Sequence, residues 1–215
     1  TIDGGTLAST SGVNLSNGVA VNGDFNIQGS IRLSGDVQLN NDVRITNTSA
    51  SNSGAGFGGA ISGAHGITFD AGASLVETDM FGTASNTYTG LTTVQGNAVL
   101  GLLKTGGAVA IPGDLTVSGN AVVGVLGSGQ IASTSNVTVD STGQSLQVSP
   151  GVSLRYDGLL LATWHSPVDL GIGTLNGNGS IGLGSGTLSV GAGDFGGTIS
   201  DGEVATFIAS QGGPA

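Results

Sequence analysis

Val13-Asn14-Leu15, Val19-Ala20-Val21, Phe25-Asn26-Ile27, Ile31-Arg32-Leu33, Val37-Gln38-Leu39 and Val43-Arg44-Ile45 decide the fold. Each places two apolar residues either side of a polar or small one, the period-2 signature of a short half-buried strand. Their starts fall at 13, 19, 25, 31, 37 and 43, a constant step of 6 residues. Turn formers fill the gaps: Ser16-Asn17-Gly18, Asn22-Gly23-Asp24, Gln28-Gly29-Ser30 and Asn40-Asn41-Asp42. Strands this short, joined by turns this short, do not make stable hairpins, and antiparallel sandwiches space their turn signals about 8–12 residues apart. The pattern fits a coil in which each strand pairs with its counterpart one circuit away, a β-solenoid. About 20 residues per circuit gives roughly ten circuits and, at about 4.8 Å per strand spacing, a rod of about 50 Å.

The triplets resume as Ile67-Thr68-Phe69, Val109-Ala110-Ile111, Leu115-Thr116-Val117, Val137-Thr138-Val139, Leu146-Gln147-Val148, Val152-Ser153-Leu154 and Leu188-Ser189-Val190. Nowhere do apolar residues recur at helical spacing over a helical length, so the chain is all-β. Glycine supplies 42 of 215 residues, but there is no Gly-X-Y period and only four prolines, which excludes collagen. A hydrophobic share of 38% and a mean hydropathy of +0.27 exclude a disordered polar tract. No run of about 18 apolar residues exists, so no helix of this segment is expected to enter a membrane. Four Lys+Arg against fourteen Asp+Glu, net charge −10, argue against nucleic acid and anionic membranes as partners. Cysteine is absent, which removes disulfides and thiolate metal sites and suits export through an oxidising compartment.

A longer repeat overlies the short one. Phe57-Gly58-Gly59-Ala60-Ile61-Ser62 returns as Phe195-Gly196-Gly197-Thr198-Ile199-Ser200, an offset of 195 − 57 = 138. Gly29-Ser30-Ile31-Arg32-Leu33 matches Gly179-Ser180-Ile181-Gly182-Leu183 at an offset of 150. The expectation is a single solenoid domain over residues 1–215, holding one long unit and the start of the next, cut from a larger tandem array. Thr1 is not a start methionine, so an upstream segment is expected.

Ser85-Asn86-Thr87-Tyr88-Thr89-Gly90-Leu91-Thr92-Thr93-Val94 resembles the autotransporter-associated β-strand repeat, whose core reads roughly N-T-Y-T-G-x-T-x-V. Gly106 to Val117, Gly127 to Val139, Gly184 to Val190 and Phe195 to Ser200 resemble the strands that accompany that core. The likeness covers about residues 29–145 and 175–208. It implies a right-handed parallel β-helix, secreted to the surface of a Gram-negative bacterium as the passenger of a large outer-membrane protein. Residues 155–170 depart from the pattern, and no strands of the kind that build a membrane barrel are present.

That departing window gathers Arg155, Tyr156, Asp157, Trp164, His165 and Asp169. One reading is a ligand or partner site at Arg155, Tyr156, Trp164 and His165, in which Trp164 stacks on a sugar while Arg155, His165 or Asp157 hydrogen-bonds to it. The other is an insertion whose Leu159-Leu160-Leu161-Ala162 run covers the coil or meets a neighbouring subunit. His65 and His165 are the only histidines and lie 100 residues apart, so no transition-metal site is expected. His65 reads as a solvated turn residue. Carboxylates are scattered singly, apart from Glu77/Asp79 and Asp201/Glu203. Acids at i and i+2 share a strand face and could serve acid–base chemistry, but are equally expected on a solvated edge. Gly191-Ala192-Gly193-Asp194-Phe195 lacks the tandem partner of a calcium roll. No nucleophile elbow or phosphate loop is present. Neither a catalytic residue nor a cofactor is expected.

The residues therefore suggest a non-enzymatic extracellular segment with a structural or adhesive role. Its partners would be host or cell-surface glycans or proteins, or other copies of itself. Trypsin would find only Arg32, Arg44, Lys104 and Arg155. The rival reading is a self-assembling subunit that stacks end to end into a filament or surface layer, because a solenoid without caps offers unpaired strands. A polysaccharide lyase or hydrolase is a third.

Overall fold

The computed structural model describes residues 1–50, 54–72, 75–149, 152–156, 159–161, 168–184 and 186–200, with backbone only at 144–149, 152–156 and 159–161. The first circuit runs through β1 (Thr6–Ala8), β2 (Val13–Leu15) and β3 (Val19–Val21), the second through β4 (Phe25–Gln28), β5 (Ile31–Leu33) and β6 (Val37–Leu39). The third holds β7 (Val43–Asn47), β8 (Ala55–Phe57) and β9 (Ile61–Ser62). Then come β10 (Ile67–Ala71), β11 (Val76–Gly82), β12 (Thr92–Val94), β13 (Ala98–Lys104), β14 (Leu115–Val117), β15 (Val122–Val125) and β16 (Asn136–Val139). A hairpin of β17 (Gln144–Ser149) and β18 (Val152–Tyr156) precedes β19 (Leu159–Leu161). The remaining strands are β20 (Asp169–Asn176), β21 (Ser180–Gly182), β22 (Thr187–Ala192) and β23 (Thr198–Ser200).

Three faces result. The first stacks β1-β4-β7-β10-β12-β14-β16-β20-β22, the second β2-β5-β8-β11-β13-β15-β19-β21-β23 and the third β3-β6-β9. Neighbours within all three are parallel. The chain is a parallel β-solenoid.

Partners on the first face lie 20, 20, 24, 25, 23, 22, 38 and 18 residues apart (Thr6↔Asn26, Phe25↔Ile45, Val43↔Ile67, Ile67↔Thr92, Thr92↔Leu115, Leu115↔Val137, Asn136↔Thr174, Asp169↔Thr187). That makes about eight circuits rather than ten, and a rod of about 38 Å at about 4.8 Å per circuit. The six-residue step of the first circuits does not persist, because later ones have longer strands and corners. The step of 38 contains β17–β18, the one antiparallel pair among the described strands. Leu146–Val148 and Val152–Leu154, which read as coil strands, are its two arms. Pro150-Gly151 between them in the sequence is a turn signal favouring that hairpin. Leu159–Leu161 does not cover the coil; it is a second-face strand, pairing with β15 and β21.

Inward residues stack in columns. Phe25, Ile45, Phe69, Val94, Val117 and Val139 follow one another in register, none more than 2% exposed. Burying each such side chain is worth about 1.5–3 kcal/mol. Phe57 and Phe69 meet edge to face across the interior, centroids 6.1 Å apart.

Corners interrupt the backbone ladder, and aspartate repairs it. Oδ1 of Asp24, Asp36, Asp42, Asp114 and Asp140 accepts the amide of Arg44, Ala60, Gly66, Asn136 and Asn178, each one circuit on, at 2.7–3.2 Å. A short carboxylate can reach an amide that no carbonyl faces. Five of the scattered acids are thus corner fittings.

The long repeat is only partly in phase. Ile31 and Ile181 both face inward on the second face. In the hexapeptides, however, Ile61 lies in β9 of the third face and Ile199 in β23 of the second. The same Phe-Gly-Gly corner turns between different faces because the circuits differ in length.

Candidate functional site

Asn86–Tyr88 crosses the third face without forming a strand. The Thr87 amide donates to the Ile61 carbonyl at 2.7 Å. The Asn86 side chain supplies what a strand would otherwise give: Oδ1 accepts the Ile61 amide at 2.9 Å and Nδ2 donates to the Ala110 carbonyl at 2.7 Å. Two residues on, Tyr88 is buried, with its hydroxyl 2.6 Å from Thr92 Oγ1. Thr92 occupies the inward column Val43–Ile67–Thr92–Leu115–Val137, so Tyr88 satisfies the one hydroxyl in it. Burial pushes the Tyr88 phenol up. A Cβ on Gly90 would collide with the Gly66 amide nitrogen and the His65 carbonyl carbon. All four belong to the motif singled out in the sequence: Asn86 and Gly90 serve the contact between coils, and Tyr88 and Thr92 pair in the interior.

A second cluster lies on the outside of the second face. Met80 faces the core, which turns Glu77, Asp79 and Phe81 outward on β11. Instead of a solvated edge, the two acids occupy the middle of a nine-stranded sheet, 4% and 8% exposed. Val99, beside Glu77 on β13, and Val122, next in that row, are buried too. Asp79 stands in the column Arg32–Gly56–Asp79–Gly101–Gly124. Glycine at 54, 56 and 58 leaves a trough beside the pair, and a Cβ on Gly58 would lie 2.5 Å from the Phe81 ring. The Arg32 guanidinium sits 5.2 Å from the Phe81 centroid, and its Nε donates to the Gly54 carbonyl at 3.3 Å. Burial pushes the Asp79 carboxyl up to about 6, against the lowering pull of its hydrogen bond with Glu77 and of Arg32. Asp79 Oδ1 has no hydrogen-bond partner.

Lys104, at the end of β13, is 3% exposed. Its Nζ donates to the carbonyls of Gly59, Phe81 and Ala84 at 3.2, 3.2 and 2.6 Å, tying its own circuit to the two before it. Burial lowers its ammonium to about 8, against the raising pull of Asp36.

Of the window singled out in the sequence, Arg155 and Tyr156 end β18, opposite Ser145 and Gln144, with backbone alone described. Trp164 and His165 lie outside the described residues, as do Asp157, Asp201 and Glu203. His65 Nδ1 is 3.7 Å from Asp42 Oδ1, both side chains well exposed. Sequence reasoning paired Glu77 with Asp79 but missed Arg32 and Phe81 beside them, and it missed Lys104. The alternating Gly54, Gly56 and Gly58, about one circuit before Glu77, Asp79 and Phe81, were the available signal.

Comparison with known protein families, with curated proteins and with solved structures finds no match.

Proposed function

We propose that this chain is a non-enzymatic β-helical rod segment of a large bacterial surface protein, displayed outside the cell as a spacer or a support for adhesive loops. The observation that carries this reading is the pair of nine-stranded parallel ladders, which run from β1 to β22 and from β2 to β23. Aspartates used on corners, and an Asn-Tyr-Gly-Thr motif used on stacking, support it further. Pulling the rod between handles on its first and last circuits tests the mechanical role: circuits should release in repeated high-force steps. One low-force event would end that reading. Turnover of acidic or neutral polysaccharides that disappears in Glu77→Gln would replace it with an enzyme.

A second reading is favoured by one observation. Val13, Leu15, Val190 and Ile199 occupy inward positions in the outermost described circuits and are 37–49% exposed. A further circuit, from this chain or another copy, would cover them. Electron microscopy of the concentrated protein distinguishes filaments from discrete rods.

A further inference from the structure

Asparagine followed by glycine is a pair in which a polypeptide readily rewrites itself, because glycine has no Cβ to keep its amide nitrogen from the preceding side chain. The chain holds four such pairs, Asn17-Gly18, Asn22-Gly23, Asn176-Gly177 and Asn178-Gly179. Three of them are held. Asn22 Nδ2 donates to Asp3 Oδ1 at 2.5 Å, and its Oδ1 accepts from Asn40 Nδ2 at 2.7 Å. Asn176 Nδ2 donates to Thr174 Oγ1 at 3.3 Å, and its Oδ1 accepts the Asp194 amide at 3.1 Å. Asn178 is exposed, but the nitrogen that would attack it belongs to buried Gly179, whose amide donates to the Val139 carbonyl at 2.7 Å.

Asn17-Gly18 differs on each count. It lies on the corner between β2 and β3 with both residues exposed. Among the described residues, neither the Asn17 side chain nor the Gly18 amide has a hydrogen-bond partner. We propose that Asn17 is a site of spontaneous covalent modification, where the folded rod deamidates with water as the only co-reactant. The Gly18 nitrogen bonds to Asn17 Cγ, the Cγ–Nδ2 bond breaks and ammonia departs with the amide proton, leaving a five-membered succinimide. Water then adds to either ring carbonyl, and opening gives aspartate or isoaspartate at this position. Nothing is oxidised or reduced. Each event adds one negative charge to a chain already at −10. The isoaspartyl product also lengthens the main chain by one atom where there is little slack: a Cβ on Gly35, in the next circuit, would lie 2.3 Å from the Asn17 carbonyl oxygen. Conversion thereby loosens the first circuit from the second beside the Val19 amide, which donates to the Asp36 carbonyl at 2.8 Å.

The test is incubation of the whole chain at mildly alkaline pH, folded and unfolded in guanidinium, with the modified positions located by peptide mass mapping. Unfolded, the four pairs should convert at similar rates. Folded, a side-chain hydrogen bond that must break first slows the attack about fivefold, so Asn22 and Asn176, held by two, should trail Asn17 roughly 30-fold. Hydrogen exchange at Val19 should rise in the aged wild type and stay unchanged in aged Asn17→Ser. Folded protein in which Asn17 stays intact, or in which any of the other three pairs converts as fast, would overturn the site. Unchanged Val19 exchange in fully converted protein would overturn the loosening.

Discussion

The Asn86 side chain stands in for a strand between Ile61 and Ala110, accepting from one amide and donating to the other carbonyl across two successive coil contacts. Asn86→Leu keeps the volume and strands both buried backbone groups. It should cost about 2–4 kcal/mol. Chemical denaturation measures the loss, and hydrogen exchange at Ile61 should rise before that at Val117, whose ladder is untouched.

Tyr88 and Thr92 should behave as a coupled pair. Tyr88→Phe and Thr92→Val each remove one partner of a buried hydrogen bond and should each cost about 1–2 kcal/mol. The double variant should cost less than their sum, since nothing is then left unsatisfied. An additive cycle would mean the 2.6 Å contact contributes nothing.

Gly90→Ala forces a methyl group into the Gly66 backbone, which has no flexible end to give way. A loss of about 2–4 kcal/mol is expected. Gly171→Ala, where nothing lies within 4 Å, is the control and should stay within about 0.5 kcal/mol of wild type. Thermal unfolding of the two variants side by side checks the contrast.

Lys104→Met leaves three carbonyls without their donor and should cost about 2–4 kcal/mol at neutral pH. The wild type carries a further signature. With its ammonium lowered to about 8 from 10.5, Lys104 contributes stability that is present above 10.5 and lost as pH falls through 8. Denaturation between pH 7.5 and 10.5 should show that slope in the wild type and not in Lys104→Met.

The solenoid was legible because its strands are short, regular and period-2, and because their turns leave no room for hairpins. Circuit size was less so. Corner length sets it, and a glycine- and asparagine-rich corner of three residues looks much like one of six. The hairpin at Leu146–Leu154 escaped because its triplets match the coil's own pattern, and only Pro150-Gly151 set them apart. Glu77 and Asp79 were recognisable as sharing a face. Their burial was not, because it goes with a place in the middle of the second face, which only the order of the strands reveals. Asn86, Tyr88, Gly90 and Thr92 stood out as a motif; Asn86 and Gly90 turn out to serve the contact between coils, and Tyr88 and Thr92 to satisfy each other inside it.

The corner aspartates give the rod a direction. All five carboxylates described above lean toward the C-terminal neighbour and receive an amide from it. A finished layer therefore offers ready-made sockets to the layer synthesised after it, whereas a layer added before it must bring sockets of its own. Growth by accretion is favoured from the N-terminal end onward, much as a bricklayer works upward from a course whose mortar is already laid.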